Sequence, residues 1–332
     1  MHYVNLGRSG LKVSPLCLGT MMFGGPTGEA DSLRMIARAR DAGLNFLDTA
    51  NIYNDGESER VIGKAIQTDR DQLIVATKAR GAMREGPNEL GTSRHNLMNA
   101  IDASLRRLGT DYVDLYYLHG PDYTTPIEES LRALDDVVRA GKARYLGCSN
   151  FYAWQLMEAL GISARAGWER FVAVQPLYNL VNRDAEVELL PCAQQHSVGV
   201  LPYSPIARGV LTGKYKPGEA APEGSRAARG DRRIQQAEWR DESKLIAQQL
   251  EPLAAVKAAT LAQFALAWVL ANPIVTSAII GPRTMEQLED NLGALNLEIT
   301  AEDEAAVNAL VPPGEHTGKG YNDPLYPVRG RP

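Results

Sequence analysis

Eight short apolar runs alternate with eight segments of helical periodicity from Leu16 onward, and this alternation constrains the fold more than any other property of the chain. The runs fall at residues 16–19, 44–47, 74–76, 113–118, 144–147, 171–174, 199–201 and 275–280. Helices are predicted over residues 31–43, 57–65, 93–108, 126–141, 152–166, 184–196, 259–270 and 284–292. Eight strand–helix units predict an α/β protein of the (β/α)8 TIM-barrel type. An open doubly wound sheet would want a G-x-G-x-x-G fingerprint in its first strand–helix turn. Residues 19–25, Gly-Thr-Met-Met-Phe-Gly-Gly, lack that spacing.

Three segments stand outside the alternation. Residues 3–14 read as two short strands around a Gly-bearing turn, an N-terminal β-hairpin ahead of the barrel. Residues 203–243 form a long loop after strand seven, rich in Gly, Pro and Arg, and loops of that length are commonly functional or disordered. Residues 312–332 read as a C-terminal tail whose Tyr321 and Tyr326 either fray or fold over the barrel's rim. No long Gly/Ser-rich or Pro-rich stretch divides the chain, so residues 1–332 read as a single domain.

Three of the apolar runs end on groups that ionise. The second delivers Asp48, with Tyr53 five residues on; the third delivers Lys78 and the fourth His119. Catalytic groups of a (β/α)8 barrel lie at the carboxyl ends of its strands, so the four are expected to converge. A tyrosine of pKa about 10 is a poor acid near neutrality unless something shifts it. A nearby ammonium favours the phenolate, and a carboxylate keeps that ammonium charged. Asp48, Lys78 and Tyr53 thus form a coherent proton-donating unit, and His119 could hydrogen-bond and polarise a substrate carbonyl. Taken singly, each residue has a plainer reading as an ion pair or a packed core side chain.

Composition narrows the alternatives. Thirty-five basic and forty acidic side chains give a net charge of −5, which offers no basic face for nucleic acid. Cys17, Cys148 and Cys192 are too scattered for a disulfide framework, and no apolar stretch nears the ~20 residues of a membrane span. With no secretory signal at the amino terminus, a reduced, cytoplasmic protein is expected. His2, His95, His196 and His316 have no metal-ligand spacing, and neither H-E-x-x-H nor G-x-S-x-G occurs, so no metal is expected.

The motifs also resemble a known family, the aldo-keto reductases. Residues 45–53 (Asn-Phe-Leu-Asp-Thr-Ala-Asn-Ile-Tyr) followed by 56–59 (Gly-Glu-Ser-Glu) are similar to its first signature. Residues 114–122 (Asp-Leu-Tyr-Tyr-Leu-His-Gly-Pro-Asp) are similar to its second, and the resemblance runs from residue 11 to residue 291. It implies that Tyr53 is the general acid, that Lys78 lowers its pKa, that Asp48 braces the lysine and that His119 orients the carbonyl. The hydride comes from no side chain, so a nicotinamide cofactor is implied. Ser149, Asn150 and Gln175 resemble residues that bind the carboxamide, and Tyr203 resembles the aromatic that stacks on the nicotinamide. Ser204, Pro205, Ile206, Gly209, Leu211 and Lys214 would line the pyrophosphate, with Gly19, Thr20, Met21 and Asp48 also on the cofactor; packing alone would equally explain Ile206 and Leu211. After strand eight, Gly281 and Arg283 open a helix, where Arg283 suits a 2′-phosphate and so NADPH over NADH. Gln287, Asp290 and Asn291 would meet the adenosine end. Met22, Phe23, Tyr53, His119 and Tyr123 are expected around the substrate, with Trp154 a further aromatic near the mouth. The expected activity is NADPH-dependent reduction of a small aldehyde or ketone. The alternatives are a sugar or polyol dehydrogenase using NADP+, and a cofactor-binding regulatory subunit like the channel β subunits.

Overall fold

The structure is a computed structural model that describes residues 1–317 and Leu325. Tyr321, Tyr326 and the rest of the expected tail lie outside the described residues.

The described residues form ten strands. β1 (Val4–Asn5) and β2 (Lys12–Val13) pair antiparallel as the expected hairpin, with Val4 opposite Val13. β3 (Leu16–Gly19), β4 (Phe46–Asp48), β5 (Ile74–Ala79), β6 (Val113–Leu118), β7 (Ala143–Ser149), β8 (Phe171–Gln175), β9 (Gly199–Val200) and β10 (Ala278–Ile280) form one parallel sheet in the order β10-β3-β4-β5-β6-β7-β8-β9. Between β9 and β10 the ring is joined by single bridges, Val200 to Val275 and Tyr203 to Ile279. There Thr276 N–H donates to the Val200 carbonyl and Ile279 N–H to that of Pro202, both at 2.9 Å. Gly19 lets β3 and β10 approach closely: a Cβ there would lie 2.7 Å from Ile279 Cγ2.

Side chains alternate across a strand, so every second residue enters the barrel. Phe46, Ala76, Leu115, Tyr117, Ala173 and Ile279 form the inner core together with Leu6 and Val13 of the hairpin region. The other parity packs outward, with Leu47, Val75, Tyr116, Leu118 and Val174 meeting the helices. Two residues beyond Phe46, Ala76, Tyr117 and Ala173 come Asp48, Lys78, His119 and Gln175. Strand parity therefore makes these four the uppermost inward layer of the same column of side chains.

The helices are α1 (Glu29–Asp41), α2 (Glu57–Ala65), α3 (Arg94–Leu108), α4 (Ile127–Arg139), α5 (Ala153–Ala166), α6 (Leu189–Gln195), α7 (Arg232–Ala237), α8 (Asp241–Val256), α9 (Leu261–Ala271), α10 (Met285–Gly293) and α11 (Ala301–Leu310). Ser93, Thr260 and Thr284 cap α3, α9 and α10 with their side chains. Gly28 rather than Asp31 precedes α1, which leaves Asp31 in the first turn, where a carboxylate favours the helix dipole.

Three sequence expectations are corrected. The helix expected at 184–196 is split into a 3-10 turn (Asp184–Glu186) and α6, because Pro191 lacks an N–H and tolerates only the first turn of a helix. The 203–243 loop is not bare, since it holds a 3-10 segment (Ala207–Thr212) and α7. α8 and α11 lie where no helix was expected. The start of the tail is tied down: Thr317 is buried, its hydroxyl 2.5 Å from that of Ser243, and His316 Nδ1 lies 2.7 Å from Asp184 Oδ1. Among the described residues no single helix is long and apolar enough to cross a membrane.

Candidate active site

The top inward layer opens into a cavity of about 410 Å³ at the carboxyl ends of the strands. Asp48 and Lys78 form an ion pair that is almost fully buried. The Lys78 ammonium also donates to the Thr49 carbonyl at 2.8 Å and reaches the Tyr53 hydroxyl at 3.4 Å. Gln175 Nε2 donates to the second Asp48 oxygen at 3.0 Å, so both carboxylate oxygens are engaged. The Tyr53 and His119 rings meet edge to face with centroids 5.7 Å apart.

Local sequence aims Tyr53. Asn54 and Asp55 adopt left-handed φ of 49° and 54°, which short polar side chains tolerate better than others. Asn54 Nδ2 donates to the carbonyls of Met21 (3.0 Å) and Phe23 (2.8 Å), tying this turn to the loop after β3. Below it, Ser58 bonds to Thr20 and Thr49, and fully buried Glu59 takes bonds from Thr77 (2.5 Å) and Arg107 (2.6 Å). The Gly-Glu-Ser-Glu stretch is thus the buried footing of the tyrosine's loop.

Electrostatics assign different states to the four groups. Burial works against the Lys78 ammonium, but Asp48 and Tyr53 more than offset it and hold its pKa above the ordinary value. Burial pushes the Tyr53 phenol up; Lys78 pulls it down, and the net direction is upward. The expected lowering of Tyr53 by Lys78 is therefore present as a force but outweighed by desolvation. Burial, with Lys78 and Arg80, drives His119 well below its usual value, so its imidazole is neutral at neutral pH. A neutral imidazole can donate a hydrogen bond to a carbonyl while retaining its proton.

The far wall is built from the remaining strand ends. Ser149 Oγ donates to the Gln175 carbonyl at 2.9 Å, and Asn150, at φ 60°, donates to the His119 carbonyl at 3.1 Å. Tyr203 OH donates to Asn150 Oδ1 at 2.8 Å, which fixes the attitude of the Tyr203 ring. Gly209, at φ 96°, brings the 3-10 segment beside Lys214 Nζ. Thr284 caps α10 and Gln287 Oε1 accepts from Arg283 N–H at 2.8 Å, so the helix starts on the cavity wall.

The cavity wall includes Gly19, Thr20, Met21, Met22, Asp48, Tyr53 and His119, and beyond them Ser149, Asn150, Gln175, Tyr203, Ser204, Pro205, Ile206, Gly209 and Lys214. Gly281, Arg283, Gln287, Asp290 and Asn291 complete it on the β10 side. Lys78 lies behind the wall, against Asp48 and Tyr53, and three other expected residues are elsewhere. Leu211 is packed in the outer core, Phe23 is fully buried, and Tyr123 is exposed off the wall. Trp154 is likewise exposed, on α5. Five arginines of the wall were not anticipated from sequence: Arg80, after β5, and Arg208, Arg226, Arg229 and Arg233 in the loop after β9. For those in the loop, the Arg-rich composition of residues 203–243 was the available signal. Arg226 is held by Asp231 at 2.8 Å, yet its buried Nη2 finds no partner among the described residues.

Comparison with known proteins agrees with this geometry. The model of the aldo/keto reductase family matches residues 15–312. A Bacillus subtilis protein named uncharacterized oxidoreductase YrpG is 38% identical over 97% of this chain and 99% of its own. Versiconal hemiacetal acetate reductase of Aspergillus parasiticus is 34% identical over 95% of this chain and 100% of its own. A probable voltage-gated potassium channel subunit beta of Arabidopsis thaliana is 38% identical over 90% and 92%.

Proposed function

The chain belongs to the aldo/keto reductase family and is an oxidoreductase, and from that premise we propose that it reduces an aldehyde or ketone with NADPH, using Tyr53 as proton donor. The observation that carries this reading is the convergence of Tyr53, Asp48 and His119 on one cavity, with Lys78 buried directly behind Asp48 and Tyr53, all delivered from three adjacent strand ends. Lys78 donates toward the Tyr53 oxygen, which leaves the phenol's own proton available to a substrate and stabilises the phenolate as that proton departs. His119, being neutral, fixes the carbonyl by a hydrogen bond and leaves protonation to Tyr53.

The wall fits a phosphorylated dinucleotide. Arg226 and Lys214, both on the cavity wall, are suited to a pyrophosphate. Arg283, beside the start of α10, suits a 2′-phosphate, the preference that favours NADPH. Ser149, Asn150, Gln175 and Tyr203 would hold the nicotinamide end. When bound, that group supplies the hydride.

The test is to follow NADPH absorbance against aldehydes, ketones, quinones and sugars, with Tyr53→Phe as the control. Tyr53→Phe is expected to bind NADPH like the parent and to lose reduction; near-normal turnover would remove Tyr53 from its role. The same groups serve alcohol oxidation in reverse, so activity confined to NADP+ and polyols would set the direction instead. A second reading, a cofactor-binding subunit of a larger assembly, draws on the 38% identity to the Arabidopsis protein. Negligible NADPH oxidation across the panel, with a protein partner recovered by pull-down, would favour it.

A further inference from the structure

Among the described residues, seven basic side chains line the cavity against two acidic ones, Asp48 and Asp290, in a chain whose net charge is −5. Asp48 is already paired with Lys78. A dinucleotide bearing a 2′-phosphate brings about four negative charges. In the reading above these fall beside Lys214, Arg226 and Arg283.

Two other arginines, Arg80 and Arg208, line the same cavity as Tyr53 and His119. Arg80 acts on His119, and its Nε is anchored to the Pro121 carbonyl at 3.0 Å. Arg208 has no such anchor. Its guanidinium carbon lies 5.9 Å from the centre of the Tyr203 ring, and its buried Nε has no hydrogen-bond partner among the described residues. Its backbone is left-handed at φ 53°, next to Ala207 at φ 47°. Strained conformations of this kind persist mainly where a site depends on them. Arg208 also lines the cavity, and a guanidinium presented there is matched by a planar carboxylate.

We propose that the substrate carries a carboxylate in addition to its carbonyl, and that Arg208 grips it while Tyr53 and His119 engage the carbonyl oxygen. The inference rests on the reductase reading and adds the substrate class to it. A neutral aldehyde would leave Arg208 unpaired, so the preference belongs to kcat/KM for matched pairs.

Steady-state reduction of 4-carboxybenzaldehyde and methyl 4-formylbenzoate, with NADPH saturating, tests it. The parent should favour the carboxylate. Arg208→Met should cut the carboxylate-to-ester ratio of kcat/KM by about tenfold to a hundredfold, the range of one hydrogen bond to a charged group. Arg208→Lys, which keeps the charge on a similar stem, should retain part of the ratio. Equal turnover of both aldehydes by the parent, or an unchanged ratio in Arg208→Met, overturns the proposal. So does an Arg208→Met protein whose NADPH affinity, read by fluorescence, falls while the ratio holds, because the arginine would then serve the cofactor. Turnover of the ester without preference sinks this inference alone, whereas no turnover of either aldehyde sinks the reductase reading with it.

Discussion

Lys78 has no exposed surface, and its three ammonium protons have three oxygens to meet, on Asp48, Thr49 and Tyr53. Removing one member of a buried ion pair leaves the other charged and uncompensated, at a cost of about 3–5 kcal/mol. Lys78→Met is therefore expected to lower stability by about that amount, and Asp48→Asn with Lys78→Met together by less than Lys78→Met alone. Denaturant unfolding of the two variants checks the order. The pH profile follows from the same residues. With Tyr53 as the proposed proton donor, reduction needs it protonated, and its raised pKa keeps it so beyond the ordinary phenol value of about 10. His119 is depressed, so it becomes charged only well below its ordinary value of about 6.5. Reduction should run flat across about pH 7–9, with its alkaline limb moving to higher pH in Lys78→Met. A limb below about pH 9 in the parent would contradict the burial of Tyr53.

At the scale of elements, loops fix what the strands aim. Asp122, after β6, accepts from Thr92 N–H (2.7 Å), Thr124 N–H (2.9 Å) and the hydroxyls of Thr124 (2.7 Å) and Thr125 (2.8 Å). Burial pushes its pKa up, but these bonds, led by Thr124, pull it to about 2. The clamp is thus complete above the unfolded carboxylate value of about 3.9 and is lost as pH falls through about 2. Asp122→Ala should expose residues 86–92 to limited proteolysis at neutral pH while the barrel stays folded. That clamp was legible only as part of a motif, because its partners are remote in sequence. The strands were legible since apolar runs flanked by turns have few alternatives, and the parity that aims Asp48, Lys78 and His119 inward follows from them. α8 was not, because Pro252 interrupts its pattern and an Arg-rich stretch precedes it. α11 was missed because its Ala- and Glu-rich face has little apolar contrast. The net sign of the shift at Tyr53 was also invisible, since desolvation is a property of the closed barrel and not of neighbours along the chain.

On the scale of the whole molecule, the barrel is uneven around its circumference. β5, β6 and β7 share long registers, whereas β9 and β10 meet only through single bridges. Local opening follows the weakest hydrogen-bonded region. Native-state hydrogen exchange should therefore release the amides of Thr276 and Ile279 well before those of Tyr116 and Tyr117. Equal protection around the ring would mean that helix packing, not strand pairing, holds the seam. The charge distribution is uneven as well, with a basic cavity set in an acidic body. Screening in physiological salt confines electrostatic reach to about 8 Å. An anion approaching from afar thus feels little of either charge, and attraction begins only at the doorway. Such a molecule does not gather its ligands by long-range steering; it retains those that arrive by chance, and its selectivity resides in residence time, not in capture.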